Sequence, residues 1–363
     1  SKRLRIWRLG VRLFSGAPMN MKIIDKKIED ILNSEEINSK FISAKHNHLN
    51  IQCNILKENF FLDSYNYFPI TEKYYSFKDN FSWGDKRKYE IFFSKNYLND
   101  FNKNKNKFKS LSNIIVLGSS PANNYYRNMI TFFPRVFFLK PRKINMAIHR
   151  NCSNKFRNFI LAICNQMNIE AHFSFLDDGL YHFIDSQIPQ FIPKSHSFKI
   201  LNKLKRHRNK TKEKIYVTRQ NANYRNLINE EDIVNILKKD GFRVVDLHYM
   251  DVFEQIELFS NAKFVVSPTG SSLTNVVFCS PGTKVVEITP KYNFEYENNF
   301  KTRYSYLCDQ LNLNYFSVEA DPINLDKITG KTKDLISYKV VNESNYYKNL
   351  LLKLDKVSQI IAH

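Results

Sequence analysis

The sequence lacks long apolar runs and paired cysteines. Its 363 residues contain no stretch near the roughly 18 apolar residues that a membrane-spanning helix needs. The five cysteines are scattered and include no CxxC pair, which argues against a zinc ribbon or a disulfide framework and for a reducing compartment. Acidic residues are also scarce, since 35 Asp and Glu oppose 55 Lys and Arg, a formal net charge of +20. So basic a surface attracts polyanions, anionic lipid or phosphorylated small molecules.

The rest of the composition is typical of a folded protein. Hydrophobic residues make up 43% of the chain and aromatic residues 14%, which excludes long disorder. The chain is long for a single domain, so two domains are expected. We assign residues 1–18 to a leader, 19–200 to an N-terminal domain, 201–342 to a C-terminal domain and 343–363 to a closing helix.

The first 18 residues differ in composition from the rest of the chain. They read SKRLRIWRLGVRLFSGAP and contain no Asn, whereas Asn is common from residue 20 onward. Three interpretations fit: an added leader, a mitochondrial-type presequence, or a membrane-surface helix with Leu4, Trp7, Val11 and Phe14 on one face.

Apolar strands alternate with helices from residue 113 onward. The pattern predicts strand, helix and strand over 143–148, 154–166 and 170–176, and the same alternation resumes at 214. Such an alternation predicts an α/β fold with parallel sheets and helices on their faces. Further helices are predicted over Lys22–Leu32, over Tyr125–Phe133 with Pro134 as the stop, and over Glu343–Ile361.

The sharpest local signal is the segment SPTGSSLTN, residues 267–275. A buried strand runs into Gly270, small hydroxyl residues and a helix, so the segment is a junction at the carboxyl end of a parallel strand. The N–H groups of a helix start, with the hydroxyls of Ser271, Ser272 and Thr274, can hold an anion. An ordinary tight turn uses the same residue types. The segment is neither GxGxxG nor a Walker A loop, so it does not indicate a dinucleotide or ATP site.

Three charged residues add to this signal. Arg219 ends the strand KIYVTR, which should place its side chain at the same edge as Gly270, and Arg225 follows in a loop. A planar guanidinium binds two oxygens of a diphosphate well, although a surface salt bridge is the alternative. Glu287 lies in the strand KVVEIT, where a buried carboxylate needs a partner such as a sugar hydroxyl or a basic side chain.

Taken in order, these residues resemble glycosyltransferase family 61, whose members are often described as capsular polysaccharide biosynthesis proteins. The resemblance covers Ile215 to Pro290. The matching positions are Thr218, Arg219, Arg225, Asn229, Glu230, Gly241, Phe242, Gln255, Ala262, Gly270, Leu273, Thr274, Asn275, Pro281, Gly282, Thr283 and Glu287. The segment Asn124–Leu139 is similar to an N-terminal helix of the family that ends in Pro-Arg. Thr269 and Arg127 stand where the family often has His.

The resemblance implies the GT-B fold, in which two Rossmann-like domains face a cleft. It makes residues 19–200 the acceptor-side α/β domain and residues 201–342 the nucleotide-sugar-binding α/β domain. It implies transfer of a sugar from a nucleotide donor with inversion and without an essential metal. No cofactor is expected, because the nucleotide sugar is a substrate. The donor is expected against the C-terminal half, on Arg219, Arg225, Gly270, Ser271, Ser272, Leu273, Thr274, Asn275 and Glu287.

An inverting transferase also needs a base for the acceptor hydroxyl. Asp177 and Asp178 follow an apolar strand in the run FLDDGLYH, and His149 ends another strand. We favour Asp178, because adjacent side chains on an extended segment point opposite ways and Asp178 is nearer the Gly turn. His182 is a further candidate, and a plain capped turn is the alternative.

The sequence therefore predicts a cytoplasmic glycosyltransferase for surface polysaccharide that acts on a glycan or lipid-linked acceptor, with peripheral contact to the inner face of an anionic membrane. Its partners are a nucleotide sugar and that acceptor, with no nucleic acid and no metal. Two alternatives remain open: a basic nucleic-acid-binding protein, and a catalytically inactive scaffold, which the two missing histidines would allow.

Overall fold

The computed structural model describes residues 22–24, 41–46, 48–64, 67–73, 75–77, 103–104, 107–118, 121–140, 142–206, 212–293, 298–323 and 344–362. The chain forms two compact units, Ser1–Ile192 and Pro193–His363. Within the described residues, no helix is long and apolar enough to cross a membrane. The leader assigned to residues 1–18 lies outside them.

Unit 1 is built on a mixed sheet. The unit's strands are β1 (Lys22–Ile24), β2 (Phe41–Lys45), β3 (Gln52–Asp63), β4 (Phe68–Thr71), β5 (Tyr75–Phe77), β6 (Lys109–Ser112), β7 (Ile115–Val116), β8 (Lys143–His149), β9 (Glu170–Leu176) and β10 (Leu180–Pro189). The main sheet has the order β2-β3-β10-β7-β8-β9, with β4 beside β3 and β6 beside β10. Strands β7, β8 and β9 are parallel, whereas β3 runs antiparallel to both β2 and β10. The predicted alternation of parallel strands and helices is therefore confirmed, and the antiparallel strands β2 and β3 extend the sheet beyond it.

The helical segment after β7 is irregular. It begins as α1 (Tyr125–Arg127), continues as a π-helix over Asn128–Phe132 and ends as a 3₁₀ helix over Phe133–Phe138. The prediction that Pro134 stops the helix is wrong. Proline lacks an N–H group, and here it occupies the first turn of the 3₁₀ segment, where that group would have no helical partner.

Unit 2 contains a sheet that is parallel except at one edge. Its strands are β11 (Glu213–Val217), β12 (Phe242–Val245), β13 (Ala262–Pro268), β14 (Lys284–Pro290), β15 (Asn314–Ile323) and β16 (Asn349–Leu351). The order is β12-β11-β13-β14-β15-β16, with only β16 antiparallel to its neighbour.

The helices of the two units, after α1, are α2 (Asn154–Gln166), α3 (Lys194–Asn202), α4 (Glu230–Lys239), α5 (Val252–Ser260), α6 (Asn298–Lys301), α7 (Arg303–Gln310) and α8 (Asp355–Ala362), with a 3₁₀ helix over Ser271–Phe278. Helix α2 has its predicted bounds.

Side chains of the unit 2 strands alternate between two covered faces. Tyr216, Val266 and Val286 belong to one buried cluster with Ile233 of α4 and Val357 of α8. Neighbouring strand residues therefore point to the opposite face, as the two-residue period of a strand requires. The sheet is thus covered on both sides, as expected for parallel strands, and its carboxyl edge is left for the loops.

Two of the predicted helices are wrong. Lys22–Ile24 is a strand that pairs with β5, consistent with the β-branched Ile23 and Ile24, while residues 25–32 lie outside the described part. Of the predicted helix Glu343–Ile361, the described residues are α-helical only in α8, and residues 345–347 form a 3₁₀ turn. Leu350 and Leu352, two residues apart, are both fully buried, which is the spacing of a strand, and β16 pairs with β15.

The units divide between Ile192 and Pro193, whereas the sequence placed the boundary after residue 200. Helix α3 contains residue 200, and it packs on the 3₁₀ helix Ser271–Phe278 and on α7, which are both in unit 2. The functional assignment of the two domains stays a prediction.

Candidate active site

The strand order of unit 2 reverses between β11 and β13. The chain leaves β11 for β12 on one side and later reaches β13 on the other. In open α/β sheets, ligands bind outside the carboxyl ends of the strands at such a point. Arg219 follows β11 at this edge, and Gly270 follows β13.

Gly270 allows the Arg219 side chain to cross the backbone. A β-carbon on Gly270 would lie 1.6 Å from the Nη1 atom of Arg219 and 2.4 Å from its Cζ atom. The φ of Gly270 is 171°, an extended value that any residue adopts. Space, and not backbone conformation, therefore requires glycine here. The structure brings together the two residues that the sequence placed at one edge.

The charge of Arg219 is not balanced by a carboxylate among the described residues. Its Nη2 donates to the Tyr224 carbonyl oxygen at 3.1 Å, and its buried Nε has no hydrogen-bond partner there. Burial, and then the positive charge of Arg225, lower the pKa of Arg219 to about 10. The guanidinium is thus charged at neutral pH and partly removed from water, so a bound anion would stabilise it.

Arg225 is the second guanidinium at this edge, and only 4% of it is exposed. Its Nε donates to the Thr269 carbonyl oxygen at 3.0 Å, on the residue before Gly270. Its Cζ lies 4.5 Å from the ring centre of Tyr224 and 3.9 Å from that of Tyr346. Aromatic faces contact this cation, and within the described residues it forms no ion pair with a carboxylate.

The residues after Gly270 form a 3₁₀ helix instead of an α-helix. Ser271 and Ser272 are half-buried, whereas Thr274 is buried and its Oγ1 has no hydrogen-bond partner among the described residues. Leu273 is fully buried in the core, and the Asn275 Nδ2 donates to Gln255 at 2.9 Å. The hydroxyls therefore remain candidates for a ligand, while Leu273 and Asn275 fix the turn.

Glu287 is a fully buried carboxylate of β14, next to Ser267 of β13 in the sheet register. Tyr315 donates its hydroxyl hydrogen to Oε2 at 2.6 Å. Burial raises the pKa of Glu287, and the hydrogen bond from Tyr315 and the charges of Arg225 and Arg303 act in the opposite direction. Its predicted contact with a donor hydroxyl stays a prediction.

In unit 1, the turn after β9 carries both predicted carboxylates. Ser64 Oγ donates to the Asp177 carbonyl oxygen at 2.5 Å and accepts from the Gly179 N–H, and the Tyr181 hydroxyl accepts from the Asp177 N–H. The two carboxylates have different partners. Asp177 accepts from Arg150 Nε at 2.7 Å, and this bond holds its pKa below the usual value.

Asp178 instead pairs with His149, whose Nε2 lies 2.8 Å from its Oδ1. His149 is 9% exposed, and its Nδ1 accepts the N–H of Asn151 at 3.1 Å. The neutral ring therefore carries its hydrogen on Nε2 and donates it to Asp178. The structure thus joins two of the predicted candidates, whereas His182 pairs with Glu72 at 2.7 Å.

Within the described residues, no group of three or more His, Cys, Asp or Glu side chains could hold a metal ion. The predicted metal independence of transfer stays a prediction.

Comparison with known families agrees with this arrangement. The sequence profile of Glycosyltransferase 61 matches residues 41–286 of the 363. The chain belongs to glycosyltransferase family 61. A search of curated proteins finds no match. The family match reaches into both units and includes Arg219, Arg225 and Gly270, but it ends before the carboxy-terminal residues 287–363.

Sequence reasoning missed the aromatic residues that surround these arginines in the family 61 chain. Tyr304 is 1% exposed, and its hydroxyl donates to the Gly270 carbonyl oxygen at 2.5 Å. Tyr346 contacts Arg225 from far along the chain. The only signal in the sequence was the high tyrosine content, which does not indicate where each ring packs.

Proposed function

We propose that this chain is an inverting glycosyltransferase that transfers a sugar from a nucleotide donor to a glycan or lipid-linked acceptor in surface polysaccharide biosynthesis. Family membership supports a transferase with a donor and an acceptor. The observation that carries the proposal is the pair Arg219 and Arg225 at the carboxyl edge of a parallel sheet. Neither is ion-paired to a carboxylate in the described residues, and the absence of a β-carbon on Gly270 lets Arg219 lie against the backbone.

The donor diphosphate would supply the negative charge that pairs with Arg219 and Arg225. Arg219 Nε and Thr274 Oγ1, both at this edge, are buried polar atoms that have no hydrogen-bond partner in the described part of the chain. As the bond between the sugar and the diphosphate breaks, negative charge grows on the leaving oxygens. Fixed guanidinium groups stabilise such charge without reorganisation, which is the largest single contribution in many enzymes.

The acceptor would be activated by Asp178. In a single displacement, its carboxylate removes the proton of the acceptor hydroxyl while that oxygen attacks the anomeric carbon and the diphosphate leaves. His149 donates to Oδ1 of Asp178 and would orient the carboxylate. The GT-B arrangement, with donor and acceptor on different domains, belongs to this proposal, as does transfer without a metal ion.

Peripheral contact with an anionic membrane at the cytoplasmic face is also part of the proposal. It is supported by the net charge of +20 and by a basic hollow at the amino edge of the unit 2 sheet, lined by Lys212, Glu213, Lys214, Asp240, Gly241, Arg243 and Lys263. Ion pairs occupy Lys214 and Arg243, so lipid headgroups would contact Lys212 and Lys263.

The test is a panel of nucleotide sugars, with release of the nucleoside diphosphate measured with and without candidate acceptors. We expect one donor to be turned over by the wild type and lost with Asp178→Asn, while Asp177→Asn remains active. Donor binding without turnover would support the inactive scaffold. Binding to duplex nucleic acid that weakens steeply with salt, with no nucleotide binding, would support the alternative of a nucleic-acid-binding protein.

A further inference from the structure

A carboxy-terminal strap, residues 344–352, lies at the same edge of the unit 2 sheet as the two arginines. It contains a short 3₁₀ turn, Asn345–Tyr347, followed by β16. The strap begins 58 residues after the last position that matches the family profile, residue 286. Its sequence is therefore not part of what assigns the chain to the family.

Hydrogen bonds tie the strap to the loop that carries Arg225. The Leu350 N–H donates to the Asn226 carbonyl oxygen and the Ile228 N–H to the Leu350 carbonyl oxygen, both at 2.9 Å. Asn349 Oδ1 accepts the N–H of Asn226 at 3.1 Å, and Asn229 Nδ2 donates to the Leu352 carbonyl oxygen at 2.8 Å. The loop after β11 is thus held from outside by the strap.

A second set of bonds ties the strap to the loop after β14. The Asn345 N–H donates to Asn293 Oδ1 at 3.0 Å, and Asn345 Nδ2 donates to the Lys291 carbonyl oxygen at 2.7 Å. The strap therefore connects the loop after β11 with the loop after β14, on either side of β13.

Tyr346 makes the direct contact with Arg225. The guanidinium lies 3.9 Å from its ring centre, and Nη1 donates to its carbonyl oxygen at 3.3 Å. Phe300 stacks on the same ring with centroids 4.2 Å apart, which restrains the ring in turn. Burial opposes ionisation of the phenol, but the charges of Arg225 and Arg303 lower the pKa of Tyr346 overall, which supports close electrostatic contact.

Arg225 needs such support because its backbone is unusual. Its φ is 62°, in the left-handed region that residues other than glycine seldom occupy, and such a conformation persists only where the surroundings impose it. The Thr269 carbonyl fixes one nitrogen, and the strap fixes another. No carboxylate of the described residues takes this role.

We propose that Tyr346 is a positioning residue for Arg225, so that a strap outside the family match sets the affinity for the donor diphosphate. The inference rests on the proposed function, because it assumes that Arg225 binds a diphosphate. Its consequence is specific: loss of the ring should weaken diphosphate binding by protein that is still folded, and it should lower kcat/KM for the donor by at least as much.

The experiment measures dissociation constants by calorimetry with UDP, GDP, ADP and inorganic pyrophosphate. Tyr346→Ala should raise the dissociation constant of the best ligand about 10-fold, in the range of a buried cation–π contact. Tyr346→Phe keeps the aromatic face and should stay within about 3-fold of wild type. Asn349→Ala, which removes one strap bond and no ring, should weaken binding about 3-fold. Tyr249→Ala, at a side chain 78% exposed in the same unit, is the control and should bind as wild type.

The same variants are then assayed with the nucleotide sugar that the wild type uses. We expect kcat/KM for the donor to fall about 10-fold or more in Tyr346→Ala, because Arg225 contacts the diphosphate in the ground state and stabilises its growing charge in the transition state. A purely structural role would lower kcat through loss of folded protein and leave the dissociation constant unchanged, which would overturn the inference. Should Tyr346→Ala not fold, wild-type affinity in Asn349→Ala would overturn it equally. Absence of diphosphate binding in the wild type would overturn the proposed function together with it.

Discussion

Arg219 lies across Gly270 so closely that its Nη1 atom is 1.6 Å from the point where a β-carbon would stand. The two residues are separated by 51 positions in the chain, and they meet because β11 and β13 are neighbours in the sheet. Any side chain at position 270 would collide with Arg219, so the position of this arginine requires a glycine after β13.

Gly270→Ala should displace the Arg219 guanidinium and weaken nucleoside diphosphate binding about 10-fold or more, the scale of one charged hydrogen bond. Calorimetry with the best nucleoside diphosphate checks it. Gly282→Ala is the matched control. The φ of Gly282 is 80° and it has no atom within 4 Å of a β-carbon, so alanine should cost about 1 kcal/mol of stability and leave affinity unchanged. Wild-type affinity in Gly270→Ala would show that the contact is not part of the binding site.

Asp178→Asn should lower turnover by about 10²–10⁴-fold with donor affinity nearly intact, because the amide cannot accept the acceptor proton. Asp177→Asn should have a much smaller effect, since Asp177 is paired with Arg150 and both side chains are more than half exposed. Single-turnover kinetics with saturating donor separates the two variants. Equal, normal rates in both would transfer the role to another residue, with His149 and His182 the next to test.

Glu287 should make stability depend on pH. Burial raises its pKa above the ordinary 4.5, so the native state keeps a proton that the unfolded chain releases as the pH rises through 4.5. The free energy of unfolding should therefore fall as the pH rises from about 4.5 toward the raised pKa. Glu287→Gln should abolish this contribution to the pH dependence of the free energy of unfolding. Urea unfolding of both proteins between pH 4 and 8 measures the difference. Parallel profiles would show that Glu287 titrates normally.

Transfer should persist in excess chelator, because guanidinium groups can meet the charge of the diphosphate without a cation. The assay compares initial rates before and after EDTA dialysis, and then with added Mn²⁺ or Mg²⁺. Complete loss with EDTA and recovery with either metal would contradict metal independence.

The sequence predicted most of unit 2, because single residues mark the ends of its elements. Asp251 caps α5 with a capping box, and Gly241 at φ 81° ends α4, so these helix ends are visible locally. Asn229 directly precedes α4 and is a residue type that often caps helices, but its side chain bonds to the Leu352 backbone instead. That partner lies 123 residues away, and no local pattern indicates it.

The errors in the prediction share this physical origin. The leucines of β16 fit a helical pattern, but the backbone of β16 forms hydrogen bonds with β15 and is therefore a strand. In the candidate site, Arg219 and Gly270 were predictable because strand ends of a parallel sheet converge. Tyr346 and Tyr304 were not, because their positions depend on how distant segments pack.

Arg219 is the residue on which the proposed donor site depends, and its role is tested by comparing nucleoside diphosphate affinity in the wild type and in Arg219→Ala. Arg243→Ala, at an exposed guanidinium paired with Glu213, is the control. We expect Arg219→Ala to remain folded and to lose about 1.5–3 kcal/mol of binding free energy, the scale of a hydrogen bond to a charged group, while the control binds as wild type. Unchanged affinity in a folded Arg219→Ala protein would show that Arg219 does not bind the donor diphosphate.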